Sequence, residues 1–325
     1  MSHTAFILFF FLFSFQTFGQ QNLILNGDFE EYWQCPDDET QIERCKHVYN
    51  PCYHDPPAWS STSDYFNICS NSSVVSVPVN ALGFQNPRSG SGYVGLIISK
   101  TNNSNYYNEY IQLEFSEALA AGATYRFQIY ANVGNIMEYT TKNIQFKLVS
   151  SNLSYTTFLD QVFEPDFRSD TLISDTLNWV PINFEFIATG VEKYIIMGNF
   201  DSPTMTDFVF LYDIPNINNP NYSYFYFDDA SLIFLKEAAP ISFPNIFTPN
   251  GDNVNDLFYI TSGIEQVESM SIINRWGNIV FETTTSFQWN GKDNKGNDLS
   301  DGVYFVWIKS KLQEKNISGM VHLIK

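Results

Sequence analysis

Apolar residues recur along this chain in short runs, either unbroken or alternating with polar ones, and rarely at the spacing of an amphipathic helix. The runs at 23–30, 109–113, 122–130, 143–149, 180–188, 194–200 and 225–235 predict strands, and clusters of Gly, Asn, Ser and Pro between them predict turns. A second, tighter series follows at 257–260, 270–273, 279–281, 303–308 and 320–324. Its punctuation is turn chemistry: in Pro249-Asn250-Gly251-Asp252, Pro presets φ, Gly accepts positive φ, and Asn and Asp bond their own backbone. Two series with different spacing predict an all-β chain of two sandwiches, a body over 20–237 and a smaller unit over 238–325.

The apolar run at 5–15 differs from the rest. It is too short to span a bilayer, and Thr17-Phe18-Gly19 places small residues where signal peptidase cuts. Residues 1–19 are expected to be a signal peptide with cleavage before Gln20 or Gln21, although the segment before the run has no Lys or Arg. No Cys follows it closely, which argues against a lipoprotein, and no later stretch is long and apolar enough for a transmembrane anchor.

Charge narrows the partners. The chain has a formal net charge of −18, and the imbalance sits in the body, where 10 Lys plus Arg face 26 Asp plus Glu. Such a surface repels phosphate backbones and anionic lipid, so no nucleic acid partner is expected; neutral glycans or calcium suit it better. Aromatic residues make up 17% of the sequence, which favours strands and supplies flat faces for sugar rings.

The blocks Phe243-Pro-Asn-Ile-Phe-Thr-Pro-Asn-Gly-Asp252, Ile273-Asn-Arg-Trp-Gly-Asn278 and Asp301-Gly-Val-Tyr-Phe-Val-Trp-Ile308 together resemble the gliding-motility-associated C-terminal sorting domain of type IX secretion, of Ig-like sandwich fold. Asn253 and Ser300 depart from the pattern, which usually has Gly and Pro there, and both replacements keep turn chemistry. The resemblance implies export to the cell surface or medium and two partners, the type IX translocon and a dedicated outer-membrane protein. The body is similar to a galactose-binding-like jelly roll, whose first and last strands, here 23–30 and 225–235, lie side by side. Through Phe29-Glu30-Glu31-Tyr32, Cys35-Pro36, Asp64-Tyr65-Phe66-Asn67, Cys69, Gly92-Tyr93-Val94-Gly95 and Ile196-Met197-Gly198-Asn199-Phe200 it also resembles uncharacterised Bacteroidetes surface proteins, which bring no activity with them.

Four cysteines lie within one stretch of a chain bound for an oxidising compartment, so two disulfides are expected, with three pairings open. The resemblance favours Cys35 with Cys69, both in the family pattern, leaving Cys45 with Cys52 around an added loop. A zinc site is the alternative, because Cys45-Lys-His47 and Cys52-Tyr-His54 repeat a Cys-x-His unit. Asp28, Glu30, Asp228 and Asp229 would meet where the ends of the jelly roll adjoin, as in the structural calcium site of carbohydrate-binding relatives; the competing reading makes them turn and cap residues. Trp33, Tyr53, Tyr106 and Tyr107, in polar surroundings, are candidates for stacking on a sugar, whereas Trp59 and Tyr65 read as core. Asp170-Thr171-Leu172 and Asp175-Thr176-Leu177 look like Bacteroidetes O-glycosylation acceptors at Thr171 and Thr176.

Catalysis finds no comparable signal. There is no Gly-x-Ser-x-Gly elbow, no His-Glu-x-x-His helix and no phosphate loop, so no catalytic residue is assigned. The expected function is a non-enzymatic, glycan-binding or adhesive surface or secreted protein. The alternative is a secreted polysaccharide-acting glycoside hydrolase, whose two carboxylates would come from distant strands.

Overall fold

The computed structural model describes residues 21–52, 62–102, 105–155, 159, 162–202, 204–212, 222–311 and 316–325. The expected signal peptide lies outside the described residues. The first set of strands comprises β1 (Val48–Tyr49), β2 (Asp64–Asn67), β3 (Gly92–Asn102), β4 (Tyr110–Glu114), β5 (Thr124–Val133), β6 (Gln145–Val149), β7 (Phe167–Arg168), β8 (Val180–Ile187), β9 (Tyr194–Gly198) and β10 (Tyr222–Lys236). They form two antiparallel sheets. One has the order β1-β4-β9-β6-β7, the other β8-β5-β10-β3-β2, with Asn105–Tyr107 folded back on the end of β3.

Strand alternation explains how the sheets face each other. Val48, Ile111, Leu113, Phe146, Ile195 and Met197 point inward from the first sheet and meet Val94, Leu96, Phe127, Ile129, Phe225 and Phe227 of the second in one buried cluster. Phe127 and Phe146 bridge the layers with ring centroids 5.3 Å apart. The run at 23–30 is not a strand, contrary to expectation. Only Ile24 bridges, to Phe115, and the chain then turns through Asn26 and Phe29, both at positive φ.

Cys35 and Cys69 are joined by a disulfide across 34 positions. Cys45 and Cys52 are not, which corrects the expected second bridge. Cys45 lies in the inner core beside Ile42, its sulfur 3.3 Å from the Asn26 amide nitrogen that donates to it; Cys52 packs with Tyr110, Leu159, Ile196 and Phe200 on the other side of the sheet. β1 lies at the edge of the sheet with Val48 facing inward and Tyr49 outward, and the two thiols lie in separate clusters on opposite faces. Burial pushes the Cys45 thiol far above its usual range. Closing a loop of this length restricts the unfolded chain by about 3–4 kcal/mol. A Cys35→Ser variant is expected to lose that much in denaturant unfolding, and an unchanged midpoint would rule out the contribution.

The second set is β11 (Ile246–Phe247), β12 (Val267–Ile273), β13 (Ile279–Thr283), β14 (Gly302–Ser310) and β15 (Ile317–Leu323), in the order β11-β15-β14-β12-β13. It has its own core, in which Trp289 packs against Phe247 and Tyr304. The chain is therefore all-β, as expected, with separate cores and antiparallel pairing throughout these two sets of strands except for the parallel β11–β15 pair.

Candidate functional site

β10 is interrupted by a bulge. Asp228 pairs with Tyr130 and Ser231 with Gln128, so Asp229 and Ala230 leave the ladder, Asp229 with φ at 50°. The N-terminal segment replaces the lost partner: Ala230 N donates to Gly27 O at 2.7 Å, and the Asn22 amide both donates to Ala230 O at 2.9 Å and accepts from Leu232 N at 2.9 Å. A side chain at position 27 would strike the Ala230 carbonyl, so glycine is required by close approach. The chain ends of the body thus meet at the bulge.

A polar cavity of about 440 Å³ opens over this seam. Its walls include Arg88, Tyr130, Gln128, Asn26, Asp28 and Asp229. The Arg88 guanidinium lies 3.4 Å from the Tyr130 ring centroid and pairs with the Asp229 carboxylate. Asp229 also accepts from the Ser89 hydroxyl at 2.7 Å. Beneath them Asp228 is fully buried and accepts from Arg88 N at 2.7 Å, Ser89 N at 3.3 Å and Asp229 N at 2.7 Å. Burial first, then the neighbouring Asp229 charge, push the Asp228 carboxyl up to about 8 against those amide bonds.

These contacts revise the calcium expectation. Asp28 and Asp229 line the cavity, but Asp229 is neutralised by Arg88, Asp228 is spent on amides below, and Glu30 accepts from Ser91 N at 2.6 Å and Gly92 N at 2.9 Å. Calcium needs several free, converging oxygens. The four carboxylates do not fit it, and among the described residues no cluster of three or more His, Cys, Asp and Glu is placed to hold a metal ion. The zinc alternative fails similarly: Cys45 and Cys52 lie on opposite faces, and His47 Nδ1 is 3.0 Å from Glu114 Oε2; His54 lies outside the described residues.

The aromatic candidates do not converge on the cavity. Trp33 is 74% exposed, with the Lys46 ammonium 5.0 Å from its ring. Tyr107 is half-buried, its hydroxyl donating to Thr62 Oγ1 at 2.8 Å. Tyr53, Trp59 and the side chain of Tyr106 lie outside the described residues. Tyr65 is core, donating to Phe29 O at 2.9 Å. Thr171 and Thr176 are partly exposed in a segment without regular structure, where Asp175 Oδ1 accepts from Leu177 N and Asn178 N as a turn-former. Tyr130, Gln128 and Arg88 were not singled out by sequence.

One pair of neighbouring carboxylates deserves comparison with the hydrolase alternative. Asp64 accepts from Thr40 N at 2.7 Å and Tyr224 OH at 2.6 Å, while Glu109 accepts from Ile97 N at 2.7 Å and from the Thr62 hydroxyl. Burial pushes both upward, and the Asp64 charge adds to the effect on Glu109. Both are buried and each oxygen is occupied, an arrangement that holds loops and leaves no gap for a glycosidic bond.

Residues 241–323 match the type IX secretion signal domain family, CHU_C. No curated protein matches the chain in sequence. Among solved structures, the CBM22-1 xylan-binding domain of Xyn10C from Paenibacillus barcinonensis aligns at 7% identity and a TM-score of 0.31, covering 59% of this chain and 94% of that one. The adhesin domain of Epf from Streptococcus pyogenes aligns at 11% identity and 0.26, covering 82% and 93%. PorZ, a surface component of the type IX secretion system of Porphyromonas gingivalis, aligns at 18% identity and 0.21 over 30% of this chain, which spans only 14% of PorZ.

The chain therefore carries a type IX secretion signal at its C-terminal end, which sends it across the outer membrane to the cell surface or the medium.

Proposed function

We propose that the body, residues 20–237, is a non-catalytic glycan-binding module that the signal domain delivers outside the cell, where it serves binding or adhesion. The supporting observation is the seam cavity, a concave wall of amides, carboxylates and a guanidinium around the half-buried Tyr130 ring. Hydroxyl-rich, uncharged ligands need paired donors and acceptors beside one apolar face, and Arg88, Gln128 and Asp28 around Tyr130 supply them. A dedicated outer-membrane protein receives the chain, and Thr171 and Thr176 carry O-glycans.

A neutral-glycan array on the purified full chain, followed by calorimetry on its best ligand, tests the reading. Tyr130→Ala and Gln128→Ala are each expected to weaken binding about tenfold, roughly 1.4 kcal/mol, with unfolding temperature preserved. No glycan bound, or binding indifferent to both variants, would remove the cavity from consideration.

A further inference from the structure

β14 breaks the usual division of an antiparallel sheet into an apolar inner and a polar outer face. Tyr304, Val306 and Ile308 point into the core, yet the outward positions are Val303, Phe305 and Trp307. Register extends this outward apolar row across the sheet. Phe305 stands opposite Met320 of β15 and Ile273 of β12, Ile273 stands opposite Ile279 of β13, and Val303 stands opposite His322, which pairs with Ile246 of β11. Five strands at about 4.8 Å spacing make a patch roughly 19 Å wide. Trp307 is 48% exposed and Met320 56%. Met320, Phe305, Ile273 and Ile279 form an unbroken row over four strands, with Ile246 reached past His322 and Trp307 set between Ser271 and Ser318; exposure on this scale in a small domain marks an interaction surface.

We infer that this outer face of the signal domain is the docking surface for a protein component of the export machinery, one that presents an uncharged apolar recess. The inference rests on the secretion-signal match of residues 241–323 and assigns the part of that domain which is read. Charge selects the occupant. At the margin Lys309 Nζ pairs with Glu268 Oε1 at 2.7 Å, Glu282 accepts from Ser271 Oγ at 3.1 Å, and the Arg275 guanidinium lies 5.2 Å from the Trp276 ring centroid. The row Met320, Phe305, Ile273 and Ile279 itself carries no charged side chain, so the surface that complements it is apolar. A lipid surface is disfavoured, because interfacial binding wants a rim of Lys and Arg free to meet anionic headgroups. Beside the patch, Val303 also borders a cavity of about 180 Å³ under the exposed Trp276, large enough for one side chain of a partner.

The test uses the full chain in its native host. Phe305→Thr with Trp307→Thr keeps β-propensity and leaves the core untouched; it is expected to lower the exported fraction at least about tenfold, with accumulation in the periplasm and an unfolding temperature matching wild type. Met320→Lys and Ile279→Lys, on other strands, carry the same expectation should the double variant not fold. Val254→Thr with Tyr259→Thr removes exposed apolar groups elsewhere in the domain and is expected to export normally. Normal export of the folded face variants overturns the proposal, as does an equal loss in the Val254 and Tyr259 control. Concentration-dependent self-association of wild type that the face variants abolish would reassign the face to a second copy, and vesicle binding that they abolish would reassign it to lipid. If a chain ending at residue 240 is itself exported, the signal reading fails as well, which separates the two outcomes.

Discussion

Removing residues 317–325 is expected to leave the protein in the periplasm. β15 is an interior strand: it pairs with β14 from Gly302↔Leu323 to Ile308↔Ile317 and on its other side with β11, Ile246 facing His322 and Phe247 facing Leu323. Its loss unpairs two neighbours at once and uncovers Val306, Ile308 and Phe247, which are buried in the signal-domain core. Burial of Val321 and Leu323 alone contributes about 2 kcal/mol each, and the small core has little reserve beyond that. A machinery that reads a folded sheet then finds none. Fractionation followed by immunoblotting should show the exported pool falling below about a tenth of wild type. Export of the shortened chain at full level would mean that the signal does not reside in this sheet.

The strands that the sequence marked most clearly are those with unbroken period-two or wholly apolar runs. β8 at Val180–Ile187, β9 at Tyr194–Gly198, β10 at Tyr222–Lys236 and β14 at Gly302–Ser310 all fall where the pattern put them. β3 did not stand out, although it is 11 residues long. Gly92 and Gly95 depress its β-propensity, and the fold needs Gly95 because the Tyr224 ring crosses that position to reach Asp64. At 23–30 the opposite error arose, since an apolar start continues into Asn-Gly chemistry that bends the chain.

The acidic seam was legible as a place, and its filling was not. Asp28 and Asp229 do share a cavity, but Arg88 lies 141 positions from Asp229, in a loop with no periodic signal that would announce the pairing. The disulfide error has the same origin. The resemblance paired Cys35 with Cys69 and left Cys45 and Cys52 to each other around an added loop, whereas the alternation of Val48 and Tyr49 between them puts the two thiols on opposite faces of the sheet. Long-range pairings and sidedness are decided by topology, on which a single sequence is nearly silent.

Stability is expected to fall as pH rises from about 5 to 8. Three buried carboxyls set the sign. Asp228 is pushed up to about 8 by burial and then by the Asp229 charge, and Asp64 and Glu109 are both raised, by burial first. In the unfolded chain these groups titrate near 4. Between about 4 and 8 the folded protein therefore binds more protons than the unfolded one, so each step upward in pH favours unfolding. Their contribution is fully present below the unfolded values and is lost as pH rises through the folded ones. For Asp228 alone, three pH units correspond to roughly 4 kcal/mol, an order-of-magnitude figure. Glu114 and Glu192 act in the other direction, because hydrogen bonds outweigh their burial and hold them low; the stability they add is lost only on acidification below about 4.5. Thermal unfolding at pH 5, 6.5 and 8 should show a declining midpoint. Glu109→Gln should flatten that decline, since Gln imitates the protonated acid: its carbonyl still accepts from Ile97 N, and its amide donates to a Thr62 hydroxyl free to rotate. A midpoint that climbs between pH 5 and 8, or an undiminished slope in Glu109→Gln, would show that these carboxyls are charged in the folded protein.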